Sequence, residues 1–584
     1  MARSIFRQLN RLYGTTPSLT SRLNAAIPGI DRATAAPGRA GRLEAVPRVN
    51  LERVKAAFEA LHGTLKGKTV AVVGGGMAGL SAAFAALQTD CSKVTLYEAT
   101  PFTSGRVQSV EEPEVAPGRI IERGAEFIGT IHPVWLYYAR QFGLGMVSVD
   151  DETYLDAVGG APKIVLDEKA VEPDELAALH ADFTAIQNKV WEYARGVDPI
   201  APWTTPTDPD DNLKYDTQDL ASWLRKKMAG YAWAYGERSL LIFLAEMEND
   251  NVTPANRQSV LGFLASISAG GEIDGSPLFF SDVELFRCDK GNQALSQALY
   301  DALHRDPRGE VILPCPIGRI VVHRDGSEPV ELYGLSNYKF HNTLWAVPNR
   351  YDLVVFAAPT ALNGRNGIEI LEQTGRGRVP VPVPAIQTGN AVKVHMRVDS
   401  RFWLGENGRG DPNGNVFYSS GSTDHAIGQM WDATSNQAML RREDHVPVVV
   451  STFAGSRGAE AAIQHARDVR GFYKGVFDTL QPGWPDGAEI LYSQINDFMK
   501  GLNAEAALFP GYSCPAPGEV TGKMQLLNTV LDGQFAYAGE HCSPGFFGYM
   551  EGALVSGING ILRFANVPPL LVASKTEKKS LAAK

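Results

Sequence analysis

Apolar positions along this chain switch repeatedly between two periods. Leu51, Val54, Phe58 and Leu61 recur at three- and four-residue spacing, which predicts a helix from Leu51 to Leu65 with one buried face. Thr69 to Val73 reads as a short buried strand, Ala78 to Leu87 as a helix of small residues, and Lys93 to Tyr97 as a second strand. Together they predict one strand–helix–strand unit. From Pro173 to Ser268 the pattern is mostly helical, with polar loops near 199–211, a block suited to cap a pocket mouth. Strand patterns return at Val311 to His323 and at Tyr351 to Ala358. Between Val392 and Val398, the apolar Val392, Val394, Met396 and Val398 alternate with Lys393, His395 and Arg397. Residues 528–538 lead into a glycine-rich turn and then a helix from Tyr549 to Phe564. No internal repeat is visible.

Strand signals of one type near residues 70, 315, 355 and 535 predict a domain assembled from separated segments. The expected fold class is mixed α/β. A Rossmann-like nucleotide-binding domain would comprise residues 65–150, 281–360 and 515–566. A substrate domain would have a helical part, 151–280, and a sheet part, 361–514. Residues 1–64 read as an N-terminal arm and helix, and 567–584 as a solvated tail.

Composition narrows the function classes. The 584 residues are 44% hydrophobic and 21% charged, an ordinary globular balance that excludes disorder throughout. A net charge of −10 argues against nucleic acid or an anionic membrane as the main partner. No window approaches the run of about 18 apolar residues that spans a bilayer. The first fifty residues carry eight arginines against Asp31 and Glu44, so they are +6 and the remainder −16. Such a start can be a transit peptide, but we read it as a surface-wrapping arm. No apolar stretch of the secretory type follows Met1. Cys91, Cys288, Cys315, Cys514 and Cys542 are odd in number and never spaced CxxC. This predicts neither a zinc site nor a disulfide scaffold, and suits a reducing, cytoplasmic compartment.

Chemistry enters first at Gly74-Gly75-Gly76-Met77-Ala78-Gly79, a GxGxxG run between a strand and a helix. Gly74 permits the tight turn, Gly76 lets backbone approach a pyrophosphate, and Gly79 lets helix and strand pack closely. The helix N-terminus then faces the phosphate charge. Glu98, at the end of the next strand, is placed to accept both ribose hydroxyls. Strand, glycines, helix, strand and acid in this order are specific for a dinucleotide, and NAD and FAD both fit. The GTLKGKT run at 63–69 is one residue short of a P-loop and precedes its strand.

The far end of the chain chooses between them. Phe535-Ala536-Tyr537-Ala538-Gly539-Glu540-His541 and Gly548-Tyr549-Met550-Glu551-Gly552-Ala553 resemble the closing signature of the flavin-containing amine oxidases. The resemblance runs from about Lys68 to Phe564. It implies FAD, with Gly539 and Glu540 near the ribityl chain, Met550 offering its backbone N–H to the flavin ring, and Tyr549 beside it. Ser104-Gly105-Arg106 is similar to the family's Gly-Gly-Arg, with Arg106 by the pyrophosphate. Arg123-Gly124-Ala125-Glu126-Phe127 is similar to the stretch beside the flavin, and Tyr351-Asp352-Leu353-Val354-Val355 to a central strand. Ile317 would meet adenine through its backbone.

By the same resemblance Lys393, ten residues before Trp403, is the active-site lysine that holds a water against the flavin and assists its reaction with oxygen. An edge-strand lysine facing water is the plain alternative. Met499 to Leu502 and Gly511-Tyr512-Ser513 resemble the stretch that supplies one wall of an aromatic cage. Tyr512 is that wall and Tyr549 the other. Gly511 stands where covalent members carry a cysteine, which implies non-covalent FAD, and Leu502 stands where many carry tryptophan. Phe127 stands where many L-amino acid oxidases carry the arginine that clamps the substrate carboxylate. The Glu126-Phe127-Ile128 run with His132, and Ser422-Thr423-Asp424 before Trp431, nevertheless look like a microbial amino-acid-oxidase subgroup, with Trp431 as a pocket wall.

The expectation is therefore an FAD-dependent L-amino acid oxidase that yields 2-oxo acid, ammonia and hydrogen peroxide. A monoamine or polyamine oxidase lacking the carboxylate clamp is the alternative, and a non-catalytic flavin-binding protein a third reading. The expected partners are a small amino acid or amine and oxygen, with no metal, in a homodimer or higher homo-oligomer.

Overall fold

The computed structural model describes residues 5, 6, 9, 48–112, 114–148, 163–166, 169–205, 207–210, 213–273, 275–336, 343–359, 368–398, 414–417, 428–434, 448–465, 467–471, 474, 490–497 and 511–570. Trp403, Ser422 to Asp424 and Met499 to Leu502 lie outside them.

Strands from distant parts of the chain share one six-stranded sheet, in the order Gly309–Ile312, Lys93–Tyr97, Thr69–Val73, Leu353–Phe356, Phe535–Tyr537 and Val530–Leu531. The first five are parallel, and the last pairs antiparallel with its neighbour. Parallel strands are covered on both faces, which is why Val70–Val73 and Leu353–Phe356 are apolar without alternation. The helix Met77–Leu87 is buried along its whole length, and its small residues let the helix Met550–Phe564 pack closely against it. This is the mixed α/β architecture expected.

Two expected strands divide differently. Val311 to His323 is not one strand: Gly309–Ile312 ends in the six-stranded sheet, and Ile317–His323 begins a five-stranded one. Pro314 and Pro316 lie between, each without an N–H to give to a ladder, so pairing stops there. Likewise Tyr351 ends the strand Thr343–Tyr351 of the five-stranded sheet, and the next strand, Leu353–Phe356, returns to the six-stranded one.

A seven-stranded sheet holds Ala391–Val398 in its interior, bonded on one side to Val448–Gly455 and on the other to Ile490–Asp497. Lys393 is therefore not on an edge strand. The two short strands Lys163–Leu166 and Lys169–Ala170 extend this sheet at its far side. The helical block consists of Pro173–Ala194, Leu220–Lys227, Arg238–Asp250 and Val260–Gly270, with 3-10 turns between. Asp219 and Ser259 cap two of these helices by accepting from the backbone of Ser222 and Gly262.

The first helix is shorter than its apolar spacing predicts, Arg48–Glu59. The described start of the arm is not on the surface. Ile5, Phe6 and Leu9 are buried, with the Phe6 ring 5.3 Å from Phe183, 4.8 Å from Phe243 and 5.1 Å from Phe280. All five cysteines are buried thiols. Among the described residues no helix is long and apolar enough to cross a membrane, and no group of side chains could hold a metal ion.

Candidate active site

At the cofactor end the three glycines do different work. A Cβ on Gly79 would collide with the carbonyl oxygen of Gly74, so the helix can approach its strand only with glycine there. A Cβ on Gly76 would meet no atom of the chain within 4 Å. The space over Gly76, at the N-cap of the helix, is therefore a cradle that the protein leaves clear, and it fits a pyrophosphate. Glu98 Oε2 accepts from the Gly75 N–H at 2.6 Å, and Oε1 accepts from the Thr100 N–H at 2.8 Å and its hydroxyl at 2.9 Å. These bonds fix the carboxylate beside the glycine turn. Ser104 bridges to Gly76 and holds a φ of +89°, in the left-handed region that glycine favours, which explains why the resembling motif has glycine in its place. Gly105 lies across from Gly76. Ile317 is buried at the start of its strand, two residues after Cys315, whose N–H donates to the Glu98 carbonyl at 2.6 Å.

Arg106 reaches the far signature. Its Nη1 donates to the Gly511 carbonyl at 2.7 Å and to Glu540 Oε1 at 2.9 Å. Glu540 also accepts from the Ser513 hydroxyl and N–H and, at 2.8 Å, from the Gly548 N–H. Burial alone would raise this carboxyl, but Arg106, His541 and these donors outweigh it and hold it below the usual value. Arg106 thus joins the Ser104-Gly105-Arg106 segment to the far signature through Glu540. Met550 opens its helix with Tyr549 as N-cap, where backbone N–H groups have no helical partner. Glu551 has a structural task instead. Its two oxygens accept from the N–H groups of Val134 and Trp135 and cap the helix Pro133–Phe142.

The reacting end is built around a buried ion pair. Lys393 Nζ donates to Glu126 Oε2, to the Glu122 carbonyl at 2.7 Å and to the Gly124 carbonyl at 3.2 Å. It lies 5.4 Å from the centre of the Trp431 ring. Glu126 Oε1 accepts from Trp431 Nε1 at 3.0 Å and Arg287 Nη1 at 3.3 Å. Lys393 lies in the sheet interior, and its protons meet protein acceptors where the resemblance implied a water. Gly124 and Ala125 follow the backbone of Arg106, and a Cβ on Gly124 would strike the Arg106 carbonyl. Phe127 and Trp431 meet edge to face at 5.7 Å, and Tyr512 packs against the same apolar cluster.

Tyr512 and Tyr549, expected as cage walls, are neighbours. The Tyr512 ring leaves no room for a side chain at Gly548, and its hydroxyl donates to the Asp250 carbonyl at 2.8 Å. Tyr549 faces His132 at 5.5 Å between ring centres. Both tyrosines are half-buried, and burial pushes both phenols well above their usual value, so they stay neutral. His132 Nδ1 accepts from the Gly129 N–H at 2.9 Å, which leaves the proton on Nε2, and burial lowers its pKa to about 3.

The residues packed behind these two tyrosines carry no motif. Gln429 Nε2 donates to Glu246 Oε1 and to Asp250 Oδ1, at 3.1 Å each. Glu284 is buried close enough to add to the charge felt by both tyrosines. Burial and mutual repulsion raise Glu246 to about 8 and Asp250 well above its usual value. A signal existed: in RSLLIFLAEMEND, two of the three acids, Glu246 and Asp250, are four residues apart and so share one face of the helix. Arg287, fully buried next to Cys288, was also unmarked.

A cradle that fits a pyrophosphate, together with a buried Lys393–Glu126 pair and two neighbouring tyrosines, fits an oxidoreductase working through a bound nucleotide cofactor. The family model for flavin-containing amine oxidoreductases matches residues 77–560, and the chain belongs to that family, so the cofactor is a flavin. Solved structures of similar fold include cyclohexylamine oxidase from Brevibacterium oxydans IH-35A, 18% identical over 85% of this chain and 99% of that one, with a TM-score of 0.62. Wild-type putrescine oxidase bound to putrescine is 16% identical over 85% and 98%, with a TM-score of 0.60. No curated protein matches the chain at a significant level.

Proposed function

We propose that the protein is an oxidase that uses non-covalent FAD to oxidise a small cationic amine to the imine, which water converts to a carbonyl compound and ammonia, while oxygen is reduced to hydrogen peroxide. The observation that carries this reading is the group of buried carboxylates, Glu246, Asp250 and Glu284, directly behind Tyr512. Glu246 and Asp250, whose carboxyls burial and crowding push upward, ionise more readily when a cation arrives, so these groups favour a positively charged substrate. Putrescine oxidase and cyclohexylamine oxidase share the fold, and amines without a carboxylate fit the chemistry of this pocket.

Gly74, Gly76, Gly79, Glu98, Gly105, Arg106, Ile317, Gly539, Glu540 and the Met550 N–H would hold FAD. When bound, the flavin supplies the acceptor for the hydride leaving the carbon that bears the amine. Tyr512 and Tyr549 orient the amine by their ring faces. Phe127 and Trp431 exclude water from one side. Lys393, clamped by Glu126, fixes the 122–126 backbone beside the ring. The amine must be neutral for its lone pair to assist hydride departure, so reduction accelerates as pH rises.

A second reading, L-amino acid oxidation, is favoured by a different observation. Arg287 and Lys393 converge on Glu126 beside Phe127 and Trp431, a cationic corner that could meet a substrate carboxylate. Peroxide release from cadaverine, putrescine, cyclohexylamine and the twenty L-amino acids tests both readings. Asp250→Asn should lower kcat/KM for the diamines about tenfold or more, the scale of a lost charge-assisted contact. Unchanged kcat/KM would remove the carboxylates from substrate binding.

A further inference from the structure

Two independent routes join the start of the chain to the two cage tyrosines. The first is polar. The Ile5 N–H donates to Glu246 Oε1 at 2.9 Å, Gln429 ties that oxygen to Asp250, and the Asp250 carbonyl receives the Tyr512 hydroxyl. The second is aromatic. Phe6 packs on Phe280 at 5.1 Å, Phe280 on Phe279 at 5.5 Å, and Phe279 on Tyr549 at 6.4 Å. Leu9 is also fully buried.

Glu246 shows how much depends on this contact. Its side chain is wholly buried, and among the described residues Oε2 has no hydrogen-bond partner. Ile5 and Gln429 therefore hold the carboxyl group through a single oxygen. Without the Ile5 donor only Gln429 would hold that oxygen, and losing one of its two donors loosens the buried group's position beside Asp250.

We propose that Ile5 and Phe6 are a positioning element of the active site: they set Glu246 and Phe280, and through them the placing of Tyr512 and Tyr549. The inference rests on the cage reading above, and it extends the pocket to a part of the chain far from it in sequence. Burial of Phe6 among Phe183, Phe243 and Phe280 anchors the segment. The Ile5 N–H carries its effect to the carboxylates.

The test compares the full chain with a variant lacking residues 1–9, with and without a synthetic peptide of residues 1–12. Flavin content should be unchanged, because the cradle lies in the six-stranded sheet. kcat/KM for cadaverine should fall about tenfold, mostly through KM, the effect of one lost hydrogen bond to a charged group. The peptide should restore it, and a Phe6→Ser peptide should not. Ile5→Pro, which removes the donor and trims the buried side chain, should raise KM for cadaverine with flavin content unchanged. It carries the test alone if the truncated chain does not fold. Near-UV circular dichroism, which reads the tyrosines without turnover, should shift on truncation and return with the peptide. Full activity after truncation, or a peptide that binds without restoring either signal, overturns the proposal. If the full chain oxidises no amine, the functional reading fails, and the circular dichroism still decides this one.

Discussion

Lys393 and Glu126 form an ion pair in the interior, with side chains 4% and 3% exposed. The ammonium also bonds the carbonyls of Glu122 and Gly124, so its three protons are all engaged. Lys393 therefore ties the interior strand Ala391–Val398 to the 122–126 segment. For the lysine to hold a water, one of these bonds must open.

Removing one partner of such a pair leaves a buried charge. Glu126→Gln should cost about 3–5 kcal/mol of unfolding free energy. Combining it with Lys393→Met should recover much of that loss, a coupling that urea titration of the two single variants and the double variant measures. A loss below about 1 kcal/mol for Glu126→Gln would match an exposed pair and contradict the burial. In the intact flavoprotein, Lys393→Met should slow reoxidation by oxygen more than reduction by substrate, as stopped-flow of the two half-reactions reads.

The glycines of the cradle should separate stability from cofactor binding. Gly76→Leu enters space that the chain leaves clear, so the apoprotein should melt as before yet bind no flavin. Gly79→Ala sets a Cβ against the Gly74 carbonyl and should lower the melting temperature of the apoprotein itself. Equal behaviour of the two variants would mean that the clear space is not a cofactor site.

At Gly511 a Cβ would strike the Gly389 carbonyl, and its own carbonyl receives Arg106. The Gly511→Cys variant should therefore destabilise the fold and still release its flavin on acid denaturation. Flavin that stays with the denatured variant chain, at wild-type stability, would show that the backbone yields there.

Stability should fall toward both ends of the pH range. Burial raises Glu551 to about 8, so its contribution is complete below the ordinary value near 4.5 and lost as pH rises through 8. Burial lowers His541 to about 4, so its contribution is present above the ordinary value near 6.5 and lost as pH falls through 4. Each group adds a slope of at most about 1.4 kcal/mol per pH unit within its window. Glu551→Gln should flatten the alkaline slope of urea unfolding between pH 5 and 8, and an unchanged slope would assign that loss elsewhere.

The cofactor half of the molecule was legible because its signals are local. The spacing of Gly74, Gly76 and Gly79 and the apolar run before them fix turn, packing and strand together. The breaks at Pro314 and Pro316 were written in the sequence too, as residues without a donor, but which sheet each flanking strand joins depends on partners hundreds of residues away. The contacts of the candidate site were legible only in part. Tyr512 and Tyr549 were marked by motifs, whereas Glu126 looked like one acid in a motif, and its bonds to Lys393, Arg287 and Trp431 come from three separate strands. The Glu246 and Asp250 pair gains its meaning from Gln429 and Tyr512, contacts that no periodicity encodes. The basic arm read as surface for the same reason: Ile5, Phe6 and Leu9 show an apolar face whose partners are in the helical block.

The central claim, that the flavin site serves a cationic amine drawn in by Glu246, Asp250 and Glu284, meets its most direct test in anaerobic mixing of the flavoprotein with matched pairs, cadaverine against L-lysine and phenylethylamine against L-phenylalanine, following flavin bleaching by stopped flow. The account predicts that cadaverine bleaches the flavin at least as fast as L-lysine, faster than phenylethylamine, and with a rate that rises with pH. Bleaching by the amino acids with none by their decarboxylated partners would contradict it and install the amino-acid reading, and no bleaching by any of the four would contradict both.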